Sequence, residues 1–173
     1  MKIKNKGLTL IEMLIVFSIF SIVLTAVIGI FVSAIRGQRF SLSSQQLVAQ
    51  TSYALEYVGR SMRTAQKGTP SCANEKNFKI TGGNRIEFLN ANGECQVFYV
   101  ENFQLKEDKD GVVNPLTSDD FKVNSLNIIL DGDSPGDKEQ PRVTLLLDIE
   151  GKLSGPNPRL KIQTTITKRN LDN

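Results

Sequence analysis

The feature that most constrains this chain is an apolar segment, residues 8–35, in which Glu12 is the one charged residue. As an α-helix these 28 residues would rise about 42 Å, more than the roughly 30 Å hydrocarbon core of a bilayer. The serines and threonines in the segment can bond to carbonyls of the preceding helical turn, so they do not prevent insertion. We therefore expect a membrane-spanning helix over residues 8–35.

The charges around this segment predict its orientation. Lys2, Lys4 and Lys6 precede it without any acidic residue, which favours a cytoplasmic N-terminus and export of the chain that follows. Arg36 and Arg39 on the far side weaken this asymmetry. The expected location is a single pass of the inner or cytoplasmic membrane, followed by an extracytoplasmic part.

Glu12 decides between interpretations of the segment. A cleaved secretory signal would use the small residues Val32, Ser33 and Ala34, but its apolar stretch is usually only about 7–15 residues long. A plain single-pass anchor leaves the carboxylate unexplained. Its insertion costs about 2.5–3.5 kcal/mol if it lies deep in the bilayer, and less at the interface.

A third interpretation uses the letters KGLTLIE at residues 6–12. A short basic leader that ends in Gly7, an apolar Leu8, and Glu12 opening a long apolar helix together resemble the class III signal of type IV prepilins and pseudopilins. The resemblance implies that a prepilin peptidase cuts between Gly7 and Leu8 and methylates the new N-terminus on Leu8. Many members of that family have phenylalanine where this chain has Leu8.

The resemblance also implies a role for Glu12. Cleavage after Gly7 would create an ammonium on Leu8, one helical turn from Glu12. In a filament, Glu12 would then meet the N-terminal amine of a neighbouring subunit, and the alternative is an interfacial carboxylate solvated by lipid headgroups. The implied partners are the prepilin peptidase, other pilins or pseudopilins, an inner-membrane assembly platform and membrane lipid.

Beyond the apolar segment the helix is predicted to continue over residues 36–66. Apolar and small residues recur every three or four positions there, which is typical of a helix covered on one face; they are Leu47, Thr51, Ala54, Val58, Met62 and Ala65. The Gly and Pro of residues 67–70 are expected to end the helix. The organisation is then a leader at 1–7, a membrane or filament-core helix at 8–35, an amphipathic continuation at 36–66 and a globular domain at 67–173.

The globular domain shows the two-residue period of β-strands. Residues 85–89 and 95–100 flank an Asn-Gly turn at 90–93, and further strands are expected at 125–130, 143–149 and 160–166. An antiparallel sheet of four or more strands, packed on the apolar stripe of the helix, accounts for this pattern. The predicted fold class is α+β and pilin-like, in agreement with the resemblance.

Composition excludes several kinds of catalytic site. The chain has no histidine, which removes Ser-His-Asp and Cys-His nucleophile systems and the usual zinc sites. Its two cysteines, Cys72 and Cys95, form one disulfide if the domain is exported, or else are two unrelated buried thiols. The net charge of +3 is small and the charges are interspersed, so no nucleic-acid-binding face is expected.

Two acidic segments suggest a metal site, but both are interpreted as solvated turns. Residues 131–137 alternate aspartates as a calcium loop does, yet Pro135 stands at a ligand position and Arg142 where the bidentate glutamate belongs. Residues 107–111 match even less well. We therefore predict no metal, no cofactor and no enzymatic activity.

The resulting hypothesis is a minor type IV pilin or pseudopilin, a structural subunit of a filament. Minor is preferred because the globular part has several irregular loops. The sequence does not separate adhesion, motility, DNA uptake and protein secretion as the process served. The alternative is a membrane-tethered extracytoplasmic binding module with an N-terminal signal anchor.

Overall fold

The fold is that of a computed structural model, which describes residues 7, 9–133, 139–152 and 157–169. The chain divides into two compact units, Met1–Ser41 and Leu42–Asn173, called here the N-terminal and C-terminal units. They are described separately.

The first element is helix α1, Leu10–Arg63, and its first part makes up the N-terminal unit. The most apolar stretch of α1 has a mean hydropathy of 2.8, and none of it is buried in the chain. Among the described residues α1 is the helix that is long and apolar enough to cross a membrane. The predicted long apolar N-terminal helix is confirmed.

In the C-terminal unit α1 buries one stripe of side chains. All six predicted stripe residues are buried: Leu47, Thr51, Ala54, Val58, Met62 and Ala65. The helix ends at Arg63, three residues before the predicted Gln66. The reason is a tertiary hydrogen bond, because the Gln66 amide donates to the Leu89 carbonyl at 2.8 Å instead of continuing the helix.

Five antiparallel strands follow and form one sheet in chain order. They are β1 Lys79–Thr81, β2 Arg85–Leu89, β3 Cys95–Glu101, β4 Gln104–Lys109 and β5 Val112–Pro115. The β2–β3 hairpin has the predicted turn, in which the Asn90 side-chain oxygen accepts bonds from the amides of Asn92 and Glu94. Gly93 adopts φ 82°, a conformation that glycine permits without strain.

Three longer antiparallel strands form a second sheet, in the order β6 Phe121–Asp131, β7 Arg142–Gly151 and β8 Arg159–Thr167. The pairing of β6 with β7 shifts register between Val123 and Ser125. Without a bulge, odd-numbered and even-numbered residues of a strand point to opposite faces of the sheet. The bulge at Asn124 lets Phe121 and Val123 lie on the same buried face as Leu126 and Ile128.

The helix stripe and both sheets enclose one hydrophobic core. Phe78, Phe88 and Phe98 lie at its centre with successive ring centroids 5.8 Å apart. The α+β, pilin-like fold class is confirmed. The expected strands at 85–89, 95–100, 125–130, 143–149 and 160–166 are all present, but they belong to two sheets, and β1, β4 and β5 were not predicted.

The prediction of a solvated turn at residues 107–111 is wrong for its first half. Glu107 and Lys109 lie in β4, and Glu107 is 4% exposed. Only Asp110 and Gly111 make the turn to β5, with φ of 48° and 89°. In the other acidic segment Asp131 ends β6, while residues 134–137 lie outside the described residues.

Candidate processing and assembly site

Helix α1 begins with a side-chain cap at Thr9. The Glu12 amide donates to the Thr9 carbonyl at 3.1 Å and to Thr9 Oγ1 at 3.3 Å, and the Met13 amide donates to the same carbonyl at 3.2 Å. Thr9 and Glu12 have the three-residue spacing of a capping box. Sequence reasoning missed this cap, although the Thr-x-x-Glu spacing was a signal that could have found it.

The predicted cleavage position lies just before the cap. Gly7 is exposed, outside α1, and has no atom within 4 Å of the place where a Cβ would be. Leu8, the residue predicted to be methylated, lies outside the described residues. The peptide bond after Gly7 is therefore two residues upstream of the first helical residue, Leu10.

Glu12 stands in the first turn of α1, where the free amides and the helix dipole favour a negative charge. Its side chain is exposed and makes no ion pair within the part of the chain that the structure describes. Leu10 and Ile11 beside it are 80% and 68% exposed. A carboxylate surrounded by apolar side chains needs a cation from another molecule once water is removed.

The apolar part of α1 also has a shallow groove of about 590 Å³. Small residues leave the backbone accessible there, and the lining consists of Thr25, Ala26, Gly29, Ile30, Ser33 and Ala34. Two hydroxyls of this part of the helix bond to backbone carbonyls: Ser21 donates to the Phe17 carbonyl at 2.8 Å and Thr25 to the Ser21 carbonyl at 2.9 Å. Small residues of this kind let a second helix approach closely in a membrane.

The two cysteines are joined by a disulfide, with a Cα–Cα distance of 5.7 Å. Cys72 lies past the end of α1 and Cys95 opens β3, so the bond ties the helix-to-sheet connection to the five-stranded sheet. This outcome rejects the alternative of two unrelated thiols. A Glu87 oxygen lies within 4.8 Å of both sulfurs, but oxidised sulfurs are not thiolate ligands for a metal.

A polar cluster joins α1 to the same sheet. Glu107 Oε1 accepts hydrogen bonds from the Tyr57 hydroxyl at 2.8 Å and from Gln96 Nε2, and Lys109 lies 3.3 Å from it. Lys109 also donates to the Tyr57 hydroxyl at 2.7 Å, which raises the pKa of Lys109. Burial is the largest cause that raises the pKa of Tyr57. These hydrogen bonds hold the helix on the sheet, because Tyr57 lies on α1 and Glu107 and Lys109 lie on β4.

Comparison with known protein families agrees with the N-terminal signal. Residues 2–34 match the family model described as the prokaryotic N-terminal methylation motif. No curated protein and no solved structure matches the chain. The chain therefore has the class III signal of type IV pilins, followed by a long apolar helix, within a pilin-like α+β architecture.

Proposed function

We propose that this protein is a subunit of a type IV filament, a pilus or a secretion pseudopilus, and that it has a structural rather than an enzymatic role. The observation that supports this most is the methylation motif over residues 2–34, which opens an apolar helix left entirely exposed in the isolated chain. An exposed apolar helix needs lipid or other helices around it. A filament subunit meets both environments in turn.

Processing is proposed to start at the cytoplasmic face of the membrane. A prepilin peptidase cuts between Gly7 and Leu8, removes the lysine-containing leader and methylates the new amine on Leu8. Helix α1 begins at Leu10, after this bond in the sequence. Proteases bind their substrates in extended form, so a bond that precedes the helix is accessible to the enzyme.

Assembly is proposed to depend on the charge of Glu12. When an assembly platform moves the subunit out of lipid, the apolar part of α1 becomes covered by the helices of other pilins or pseudopilins. The Glu12 carboxylate then pairs with the amine of a neighbour's first residue, because leaving either charge buried alone costs about 3–5 kcal/mol. The groove around Gly29 lets a neighbouring helix pack closely against the backbone.

We further propose that the subunit is a minor one. Its C-terminal unit has two sheets of different size and a helix-to-sheet connection fixed by a disulfide, which favours a specialised surface over a uniform filament wall. The N-terminus remains cytoplasmic before assembly, and the C-terminal unit is extracytoplasmic, where disulfides form.

The test is the intact mass of the chain recovered from membranes of cells with and without an active prepilin peptidase. Loss of residues 1–7 together with one added methyl group is expected only when the peptidase is active. A chain that keeps Met1 in both strains would instead support the alternative of a membrane-tethered binding module.

Assembly is tested separately with Glu12→Gln, and Met13→Leu serves as the matched control in the same helical turn. Both variants should insert and be cleaved. Filament incorporation of Glu12→Gln should fall by more than about tenfold, since one charge of a buried pair is lost, whereas Met13→Leu should assemble normally. Equal incorporation of both variants would refute the pairing role of Glu12 and leave the processing role intact.

A further inference from the structure

The connection between α1 and β1 contains a strained turn. Ala73, Asn74 and Glu75 have φ of 56°, 51° and 62°, which is a run of left-handed residues without a glycine. For residues with a Cβ this conformation is disfavoured about 5- to 30-fold at each position, and asparagine tolerates it best. Such a turn persists only where its surroundings hold it.

Four backbone hydrogen bonds close the turn, and one of them runs from the Gly68 amide to the Lys76 carbonyl at 2.9 Å. The amides of Cys72 and Glu75 both donate to the Thr69 carbonyl, at 3.0 and 3.2 Å, and the Lys76 amide donates to the Ala73 carbonyl at 3.1 Å. The packing is tight, because a Cβ on Gly68 would lie 2.5 Å from the Cys72 carbonyl oxygen.

Two tertiary constraints act on the turn from β2 and β3. The disulfide to Cys95 fixes Cys72, which is 2% exposed and immediately precedes the turn. The Ala73 amide donates to Glu87 Oε1 at 2.8 Å, and Ala73 is fully buried. Both constraints reach the turn at its first residues.

We propose that the Cys72–Cys95 disulfide is a redox-operated lock, which holds residues 73–75 in the left-handed turn and which the Glu87 carboxylate shields from thiolate reductants. Reduction by a dithiol breaks the bond between the two sulfurs. Two electrons and two protons pass from the dithiol to the chain, which gains two thiols while the reductant becomes a disulfide. Without the cross-link the turn relaxes to right-handed or extended backbone.

The shielding follows from the position of Glu87. One of its oxygens lies within 4.8 Å of both sulfurs, and its side chain is only 17% exposed. The Glu87 carboxylate repels an attacking or leaving thiolate at that distance. This repulsion slows thiol–disulfide exchange by a factor of about four even at the dielectric constant of water. Lys79, at 3.8 Å from Glu87, offsets part of this repulsion. The Cys72–Cys95 disulfide is therefore both reduced and formed slowly.

The lock controls the shape of an exposed surface. Asn74, Glu75 and Lys76 are exposed, while Cys72 and Ala73 beneath them are buried. The oxidised and reduced chains therefore present different backbone at the same position. This device is independent of the proposed filament function, because it concerns only the C-terminal unit.

The first test is amide hydrogen exchange of the full chain in detergent micelles, before and after reduction with dithiothreitol. We expect exchange of the Glu75 and Lys76 amides to rise at least tenfold through local opening of the turn, so that this rise is insensitive to low concentrations of urea. Exchange of the β7 amides requires unfolding of the C-terminal unit and should increase with urea. Unchanged exchange at Glu75, or a rise at Glu75 with the same urea dependence as β7, would overturn the lock, because the bond would then be only a global cross-link.

The second test separates strain from simple loss of contacts. Glycine adopts the left-handed conformation without the steric penalty that a Cβ causes, so Glu75→Gly should favour the native turn. Exchange of the Lys76 amide in the reduced chain should therefore fall by about 5- to 30-fold. Lys76→Gly is the matched control, since Lys76 is exposed but is not among the positive-φ residues. In the oxidised chain Glu75→Gly should be the more stable of the two variants. Equal amide exchange in the reduced chain and equal stability in the oxidised chain for the two variants would refute the strained turn.

The third test concerns the shield. Glu87→Gln retains an oxygen that can accept the Ala73 amide but loses the charge. Its disulfide should be reduced by dithiothreitol at least about fourfold faster than that of the wild type, and added salt should narrow the difference. Equal rates at low salt would overturn the shielding role.

Discussion

The polar cluster around Glu107 allows a stability prediction to be worked out from the structure. We expect Glu107→Gln to lower the free energy of unfolding of the C-terminal unit by about 2 kcal/mol. The glutamine oxygen can still accept from the hydroxyl of Tyr57 and from Gln96, so no donor loses its partner. What is lost is the charge of the acceptor, and a hydrogen bond to a charged group contributes about 1 kcal/mol more than a neutral one.

The burial of the cluster supports this magnitude. Glu107 is 4% exposed and Gln96 is 1% exposed, so the two bonds are largely shielded from water. The ion pair with Lys109 adds little to the estimate, because the lysine side chain is 35% exposed and the attraction is screened. For a unit of this size 2 kcal/mol corresponds to a fall in Tm of roughly 6–10 °C.

The assay is urea unfolding of the full chain in detergent micelles, followed by the near-UV circular dichroism of its tyrosines. Asp108→Asn is the matched control, because Asp108 lies on the same strand but the hydrogen bond that it accepts from the Gly111 amide, at 2.9 Å, is exposed. The control should lose less than about 1 kcal/mol. A loss below 0.5 kcal/mol in Glu107→Gln would refute the idea that the charge of Glu107 strengthens the cluster.

Three further predictions concern other parts of the chain. Replacing Cys72 and Cys95 with alanine should cost about 3.4 kcal/mol in the chain-entropy model for a separation of 23 residues, measured by the same urea assay. The hydrogen bonds from Arg159, at 2.8 and 2.6 Å, hold the pKa of Asp148 below its usual value. The ionised Asp148 therefore stabilises the fold above about pH 3.9, and this contribution is lost as the pH falls. In Asp148→Asn the free energy of unfolding should depend less on pH in that acid range. Gly29→Leu should fill the groove on α1 and reduce filament incorporation several-fold without affecting cleavage, and normal incorporation would contradict the packing role of the groove.

The elements with strong periodicity were predictable from the sequence. The stripe from Leu47 to Ala65 was recognised because buried helical residues recur every three or four positions. β7 was recognised because every second residue from Val143 to Ile149 is apolar, and the β2–β3 hairpin because of its Asn-Gly turn. These signals are local, and tertiary packing did not override them.

The strands that were missed are short and polar. β4 reads Gln-Leu-Lys-Glu-Asp-Lys, and its charged residues suggested a turn, because nothing in the sequence reveals that Tyr57 and Gln96 provide partners for Glu107. All four residues of β5 are exposed, so its sequence has no alternation of buried apolar and exposed polar residues. The division into two sheets was likewise invisible, because it depends on which strand edges pair.

The sequence by itself determined the signal at residues 2–34, the apolar helix, the stripe that continues it and the main strands, because each depends on residue types at short spacings along the chain. Only the tertiary structure decided that Cys72 and Cys95 are bonded, that Glu87 lies beside both sulfurs, and that residues 73–75 turn left-handed. Those features arise where segments distant in sequence meet. The conformation of a residue there is set by what its neighbours in space require, and a one-dimensional pattern does not record it.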